Sequence, residues 1–89
     1  MRISFHHSHA YPGCRATIAD LPREAGRAAT ALVEFSDGAI SSATWESAGD
    51  GEIAIAVDAY RTARGTHVAR KQWRLRRADG SGNDWVVAR

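Results

Sequence analysis

Between Glu52 and Tyr60 the apolar side chains fall on alternate positions. Ile53, Ile55, Val57 and Ala59 make one face, and Glu52, Ala54, Ala56, Asp58 and Tyr60 make the other. A period of two sends successive side chains to opposite sides of an extended chain, so it predicts a half-buried β-strand. His67–Arg77 alternates in the same way, with Ala69, Trp73 and Leu75 on the core face. Ala31–Phe35 and Ala39–Glu46 read as a hairpin with Val33, Phe35 and Trp45 inward. Ile40 is out of phase with Trp45, which predicts a bulge or an edge there. Asp84–Arg89 reads as a last strand carrying Trp85 and Val87 to the core.

Turn chemistry punctuates these segments. Ser36-Asp37-Gly38, Gly49-Asp50-Gly51, Arg64-Gly65 and Asp79-Gly80-Ser81-Gly82-Asn83 recur at intervals of 13 to 15 residues. Each supplies the positive φ or the local side-chain bond that a reversal needs. The expected fold is therefore mainly β, a single domain over 1–89 built as one small antiparallel sheet, a meander of about five to six strands. Residues 20–32 read two ways. Asp20 is a suitable helix cap, with Leu21, Ala25, Ala28 and Leu32 on one stripe, giving a short helix around 21–31. Gly26 costs such a helix about 1 kcal/mol, and strand signals begin soon after it.

Composition sets the outer bounds. The chain has 89 residues, 44% hydrophobic and 25% charged, the balance of a globular domain rather than a disordered one. A chain of this size buries roughly 60–65% of its unfolded surface, enough for one modest core. Met1–Ala10 carries Arg2, His6, His7 and His9 without an apolar run, so no secretory signal is expected, and no apolar stretch is long enough for a membrane helix. Cys14 is the one cysteine, which points to a reducing compartment, most simply the cytoplasm. Arginine outnumbers lysine 11 to 1, but alanine and glycine are enriched beside it, so coding bias explains that preference as readily as recognition does.

Charge changes the picture most. Residues 34–60 hold six acids and no Lys or Arg, a net of −6, while residues 61–77 hold seven cations and no acid, a net of +7. The whole-chain balance of +2 hides this segregation. Two candidate binding regions follow: a basic strip of Arg61, Arg64, Arg70, Lys71, Arg74 and Arg76, and an acidic face of Glu46, Asp50, Glu52 and Asp58. In the strand reading, Arg70, Arg74 and Arg76 share a face with Gln72 and Val68. Successive same-face residues are roughly 6.5–7 Å apart, a spacing that can follow a phosphate backbone. If 52–60 and 67–77 are neighbours, Glu52 and Asp58 face the basic strand, each opposite pair contributing roughly 0.2–1 kcal/mol.

The stretch HHSHAYPGC, residues 6–14, is the other cluster. His7 and His9 form an H-x-H pair whose rings would lie on one side of a strand, with His6 or Cys14 as a conceivable third ligand. The spacing fits no zinc pattern, Pro12-Gly13 turns the chain before Cys14, and His7 and His9 continue the parity of Ile3 and Phe5 toward a core rim. No metal and no cofactor is expected.

No nucleophile elbow, phosphate-loop lysine or paired-acid context is present, so no enzymatic activity is expected. The sequence is read as a non-enzymatic binding protein that occupies the surface of a protein or nucleoprotein partner through its segregated charges. Direct RNA or DNA binding through Arg-rich 70–77 is the alternative. In size, compactness and lack of a recognisable motif, the chain resembles the small inhibitors made by phages and mobile elements, anti-CRISPR proteins among them. That likeness of build implies inhibition of a complex that handles nucleic acid, and transfers no residue roles. An open strand edge at Met1–Phe5 or Asp84–Arg89 would also let two copies pair, giving a homodimer in place of a monomer.

Overall fold

The structure, a computed structural model, describes residues 1–22, 29–49, 51–78 and 82–88. Nine strands are present and no helix among the described residues: β1 (Arg2–Phe5), β2 (Arg15–Ala19), β3 (Ala29–Glu34), β4 (Ile40–Ser47), β5 (Glu52–Val57), β6 (Tyr60–Arg61), β7 (His67–Val68), β8 (Lys71–Arg77) and β9 (Asp84–Val87). Seven of them close a barrel in the order β1-β2-β9-β8-β5-β4-β3, and β6 and β7 make a separate two-stranded sheet.

The mainly β expectation holds, but the sheet is not a five- or six-stranded meander. Three pairings depart from chain order, the first being that of β5 with β8 across the β6–β7 hairpin. β9 lies between β2 and β8, and β3 pairs in parallel with β1, which closes the ring. Both edges expected to be open are occupied, since β1 is paired with β2 and β3, and β9 with β2 and β8. Of the stretch weighed as helix, 29–31 belongs to β3, and 23–28 lies outside the described residues.

Small and large side chains alternate through the interior. Ala16 stands opposite Trp85, and Ala29 opposite Trp45, so each indole fills the space a small neighbour leaves. Ile3, Ile18, Val33, Leu75 and Val87 are almost completely buried around them. At one end the rings stack: Phe5 on Phe35 at 5.3 Å and Phe35 on Tyr60 at 4.3 Å. At the other, Trp45 and Trp85 border a recess with Leu21 and Pro22.

Several local expectations are corrected. The β3–β4 ladder runs unbroken from Glu34–Ile40 to Ala29–Trp45, so Ile40 marks no bulge; it points outward and is 61% exposed. The strands expected over 52–60 and 67–77 share one register throughout, from Glu52–Arg76 to Arg61–His67, but the ladder breaks at 58–59 and 69–70. At the break Asp58 remains joined to β4. Its N–H bonds the carbonyl of Ser42 at 2.9 Å, and its carbonyl accepts the Ser41 hydroxyl at 3.0 Å, which ties it to β4. Beyond the break the inward parity reverses. Ala59 and Ala69 are exposed, while Tyr60 is buried and Val68 partly so. The β6–β7 hairpin thus turns its apolar side over the barrel mouth. Trp73, expected in the core, is half-buried and packs against it.

Candidate interaction face

The pairing of β5 with β8 decides how the two charged regions meet. On the outer face Glu52 stands opposite Arg76, Ala54 opposite Arg74 and Ala56 opposite Gln72. At the break Arg70 and Asp58 form an ion pair at 4.0 Å, both side chains more than half exposed. Exposed pairs of this kind contribute roughly 0–1 kcal/mol, so their importance lies in placing charge and not in stability.

The charges segregated along the sequence are therefore interleaved in space. Arg76 has Glu52 of β5 opposite it, and Arg70 has Asp58, just beyond β5. Arg74 differs, because its neighbours in the ladder are Ala54 on one side and Ala88 on the other, whose N–H bonds the Arg74 carbonyl at 2.7 Å. Glu46 lies one strand further, opposite Ala54 on β4. These side chains border an open groove of about 650 Å³. Thr44, Ala54 and Ala56 give it a floor of small side chains, with Glu46 on one flank and Arg70, Gln72 and Arg74 on the other.

The remaining residues of the two candidate sets fall elsewhere. Arg61 and Arg64 are exposed on the β6–β7 hairpin, where Arg61 donates to the carbonyl of Gly65 at 3.3 Å. Lys71, opposite Val57, has the inward parity of β8 and lies at the barrel mouth instead of on the outer face. Asp50 lies outside the described residues. One cation missed by the sequence reading joins the face. Arg15 is exposed on β2 opposite Val86, which in turn lies opposite Arg76, so the two arginines are about 10 Å apart across two strand spacings. Its outward direction was readable from the inward Ala16 and Ile18, but its neighbours follow only from the insertion of β9.

Arg77, on the same strand, does something different. Its guanidinium lies 4.7 Å from the ring centre of Trp85 and donates to the carbonyl of Gly82. It fastens β8 to the start of β9 and is only partly exposed.

The histidine segment is not a strand, since β1 ends at Phe5, and the rings of His7 and His9 both pack against Tyr11. Each ring turns to its own partner: His6 Nε2 to the Thr17 hydroxyl at 2.8 Å, His7 Nδ1 to the Tyr11 hydroxyl at 3.1 Å, and His9 Nδ1 to the Ser8 hydroxyl at 3.2 Å. Among the described residues no three His, Cys, Asp or Glu gather to hold a metal. Cys14 is buried, its sulfur accepts the Tyr11 N–H at 3.5 Å, and burial raises its pKa.

No protein-family model matches this chain, and neither does any curated protein or solved structure at a significant level.

Proposed function

We propose that this chain is a non-enzymatic binding protein that occupies a protein surface with the outer face of β4, β5 and β8. The observation that carries this reading is the placement of Glu52 and Asp58 directly against Arg76 and Arg70. A stripe of alternating sign repels a polyanion at every acid but complements a protein surface of mixed charge, where it governs association rate and register. The small-residue floor beside Arg74 gives such a partner room for side chains of its own. In build the chain remains comparable to small inhibitors of complexes that handle nucleic acid, and that is the partner class we infer. A cytoplasmic setting fits the free thiol of Cys14.

The second reading is direct RNA or DNA binding, and Arg15 is what favours it, because it widens the basic area around Arg74 and Arg76. One set of titrations separates the two. A partner captured from the source cell should lose affinity to Arg74→Gln and to Glu46→Gln alike, while free nucleic acid binds weakly throughout. A nucleic-acid binder should instead gain affinity from Glu46→Gln and Glu52→Gln, and each phosphate-contacting arginine replaced should flatten the salt dependence by nearly one.

A further inference from the structure

The parity reversal at 58–59 and 69–70 builds a second concavity, which meets the groove of the outer face at Trp73. It is a pocket of about 320 Å³ at the barrel mouth, between the β6–β7 hairpin and the ends of β5 and β8. That volume lies within the range of roughly 300–1,000 Å³ usual for small-molecule sites, and barrel mouths are a common place for them. Its walls are apolar, with Phe35, Val57, Tyr60, Val68 and Trp73 among them. Phe35 and Tyr60 stand nearly parallel, 13° apart, so they form two layers of an aromatic stack that ends at the pocket. Trp73 keeps part of its surface uncovered there.

The charged lining of this pocket is of one sign. Lys71 lines it, with His9 beside the apolar walls, and among the described residues no carboxylate does. Asp37, whose charge is felt at Tyr60, is engaged by the backbone N–H groups of Ala39 and Ala63. The Tyr60 hydroxyl donates to the Ser8 carbonyl at 3.4 Å, so it is turned to the protein. Flat apolar walls with one ammonium and no acid among the lining residues match a flat apolar body with a single negative charge.

We propose that the barrel mouth binds a small aromatic monoanion, its ring against Tyr60 and Trp73 and its carboxylate facing Lys71. The ring contributes burial and stacking, while the ammonium distinguishes an anion from a neutral or cationic ligand of the same shape. This site does not depend on the partner reading above, because the two concavities share Trp73 but none of their charged residues.

Three probes of equal ring size test it: phenylacetate, 2-phenylethanol and phenethylamine, titrated into the intact protein and followed by amide chemical shifts. Phenylacetate should bind in the millimolar range expected of a fragment and move the amides of Val57, Tyr60, Val68, Lys71 and Trp73. It should bind roughly tenfold more tightly than 2-phenylethanol, with phenethylamine weakest. Lys71→Gln should bring phenylacetate down to the affinity of 2-phenylethanol and leave the latter unchanged. Val68→Trp, which fills the pocket from the hairpin side, should abolish binding of all three. Equal affinities for the three probes, no binding by any, shifts centred elsewhere, or undiminished phenylacetate binding by either variant would each overturn the proposal.

Discussion

Asp37 accepts the backbone N–H of Ala63 at 3.0 Å, 26 residues further along the chain. Its other oxygen accepts the N–H of Ala39, also at 3.0 Å, so one carboxylate holds the β3–β4 turn and the β6–β7 hairpin together. These bonds, with Ala63 the larger influence, hold its pKa below the ordinary 3.8. A lowered folded pKa means the contribution is fully present above the ordinary value and is lost as pH falls through the lowered one. Hydrogen-exchange protection at Ala63 should therefore be constant near neutrality and fall below about pH 4. In Asp37→Ala it should be low at every pH. An unchanged acid response in that variant would show that Asp37 does not hold the hairpin.

Tyr60 should ionise above its ordinary pKa of 10, because burial, and secondarily the charge of Asp37, disfavours the phenolate. The sign is opposite to that of Asp37. The stability gained by keeping this phenol neutral is present below about pH 10 and is lost as pH rises through the raised value. Absorbance titration should resolve a late tyrosine step that Tyr60→Phe removes. Asp37→Asn should lower that step only in part, since burial is the larger cause.

Neighbouring arginines on β8 should separate cleanly in an unfolding experiment. Arg74→Gln, exposed and with Ala54 and Ala88 as its ladder neighbours, should stay within about 0.5 kcal/mol of wild type in urea. Arg77→Ala loses its stacking on Trp85 and the bond to Gly82 and should cost about 1 kcal/mol. The triple variant of Arg70, Arg74 and Arg76 to Gln should keep a near-native Tm while affinity for the partner falls. Comparable losses of stability from Arg74→Gln and Arg77→Ala would contradict the division between binding and structural arginines.

Cys14 should be slow to react. Its side chain is buried and its pKa is raised by burial, which leaves little accessible thiolate. Labelling with a thiol reagent at pH 8 should be far slower in the folded protein than in urea. Prompt labelling without denaturant would mean that the segment between β1 and β2 opens readily.

Period-two patterning made the strands around Ile53–Val57, Leu75 and Trp85 legible, along with their inward faces, because each is decided by a few adjacent residues. That Glu52 and Asp58 would face the basic strand followed from making 52–60 and 67–77 neighbours, while the partner of each came only with the register of β5 and β8. Barrel closure was not legible. It depends on β1 lying parallel to β3 and on β9 entering between β2 and β8, pairings between distant segments that no local pattern encodes. Ile40 misled because an exposed isoleucine on a regular ladder looks like a phase error. At the candidate face, the arginines of β8 were visible as a run, but Arg15 was not, lying more than fifty residues away in sequence. The mouth pocket escaped notice because alternation continued on paper past Asp58, where the chain in fact reverses its faces.

The position of β9 has a consequence for how the molecule is made. β2 and β8 both bond to it, so the ring has a slot until residues 84–87 leave the ribosome. An emerging chain can form the β3–β4–β5 hairpins and the β5–β8 arm early, since these join nearby segments. It cannot seal the wall. During that interval two strand borders are unpaired, ready to join with any other extended chain. A chain cut between Arg77 and Asp84 would keep the borders of β2 and β8 open, and residues 84–87 are what closes them.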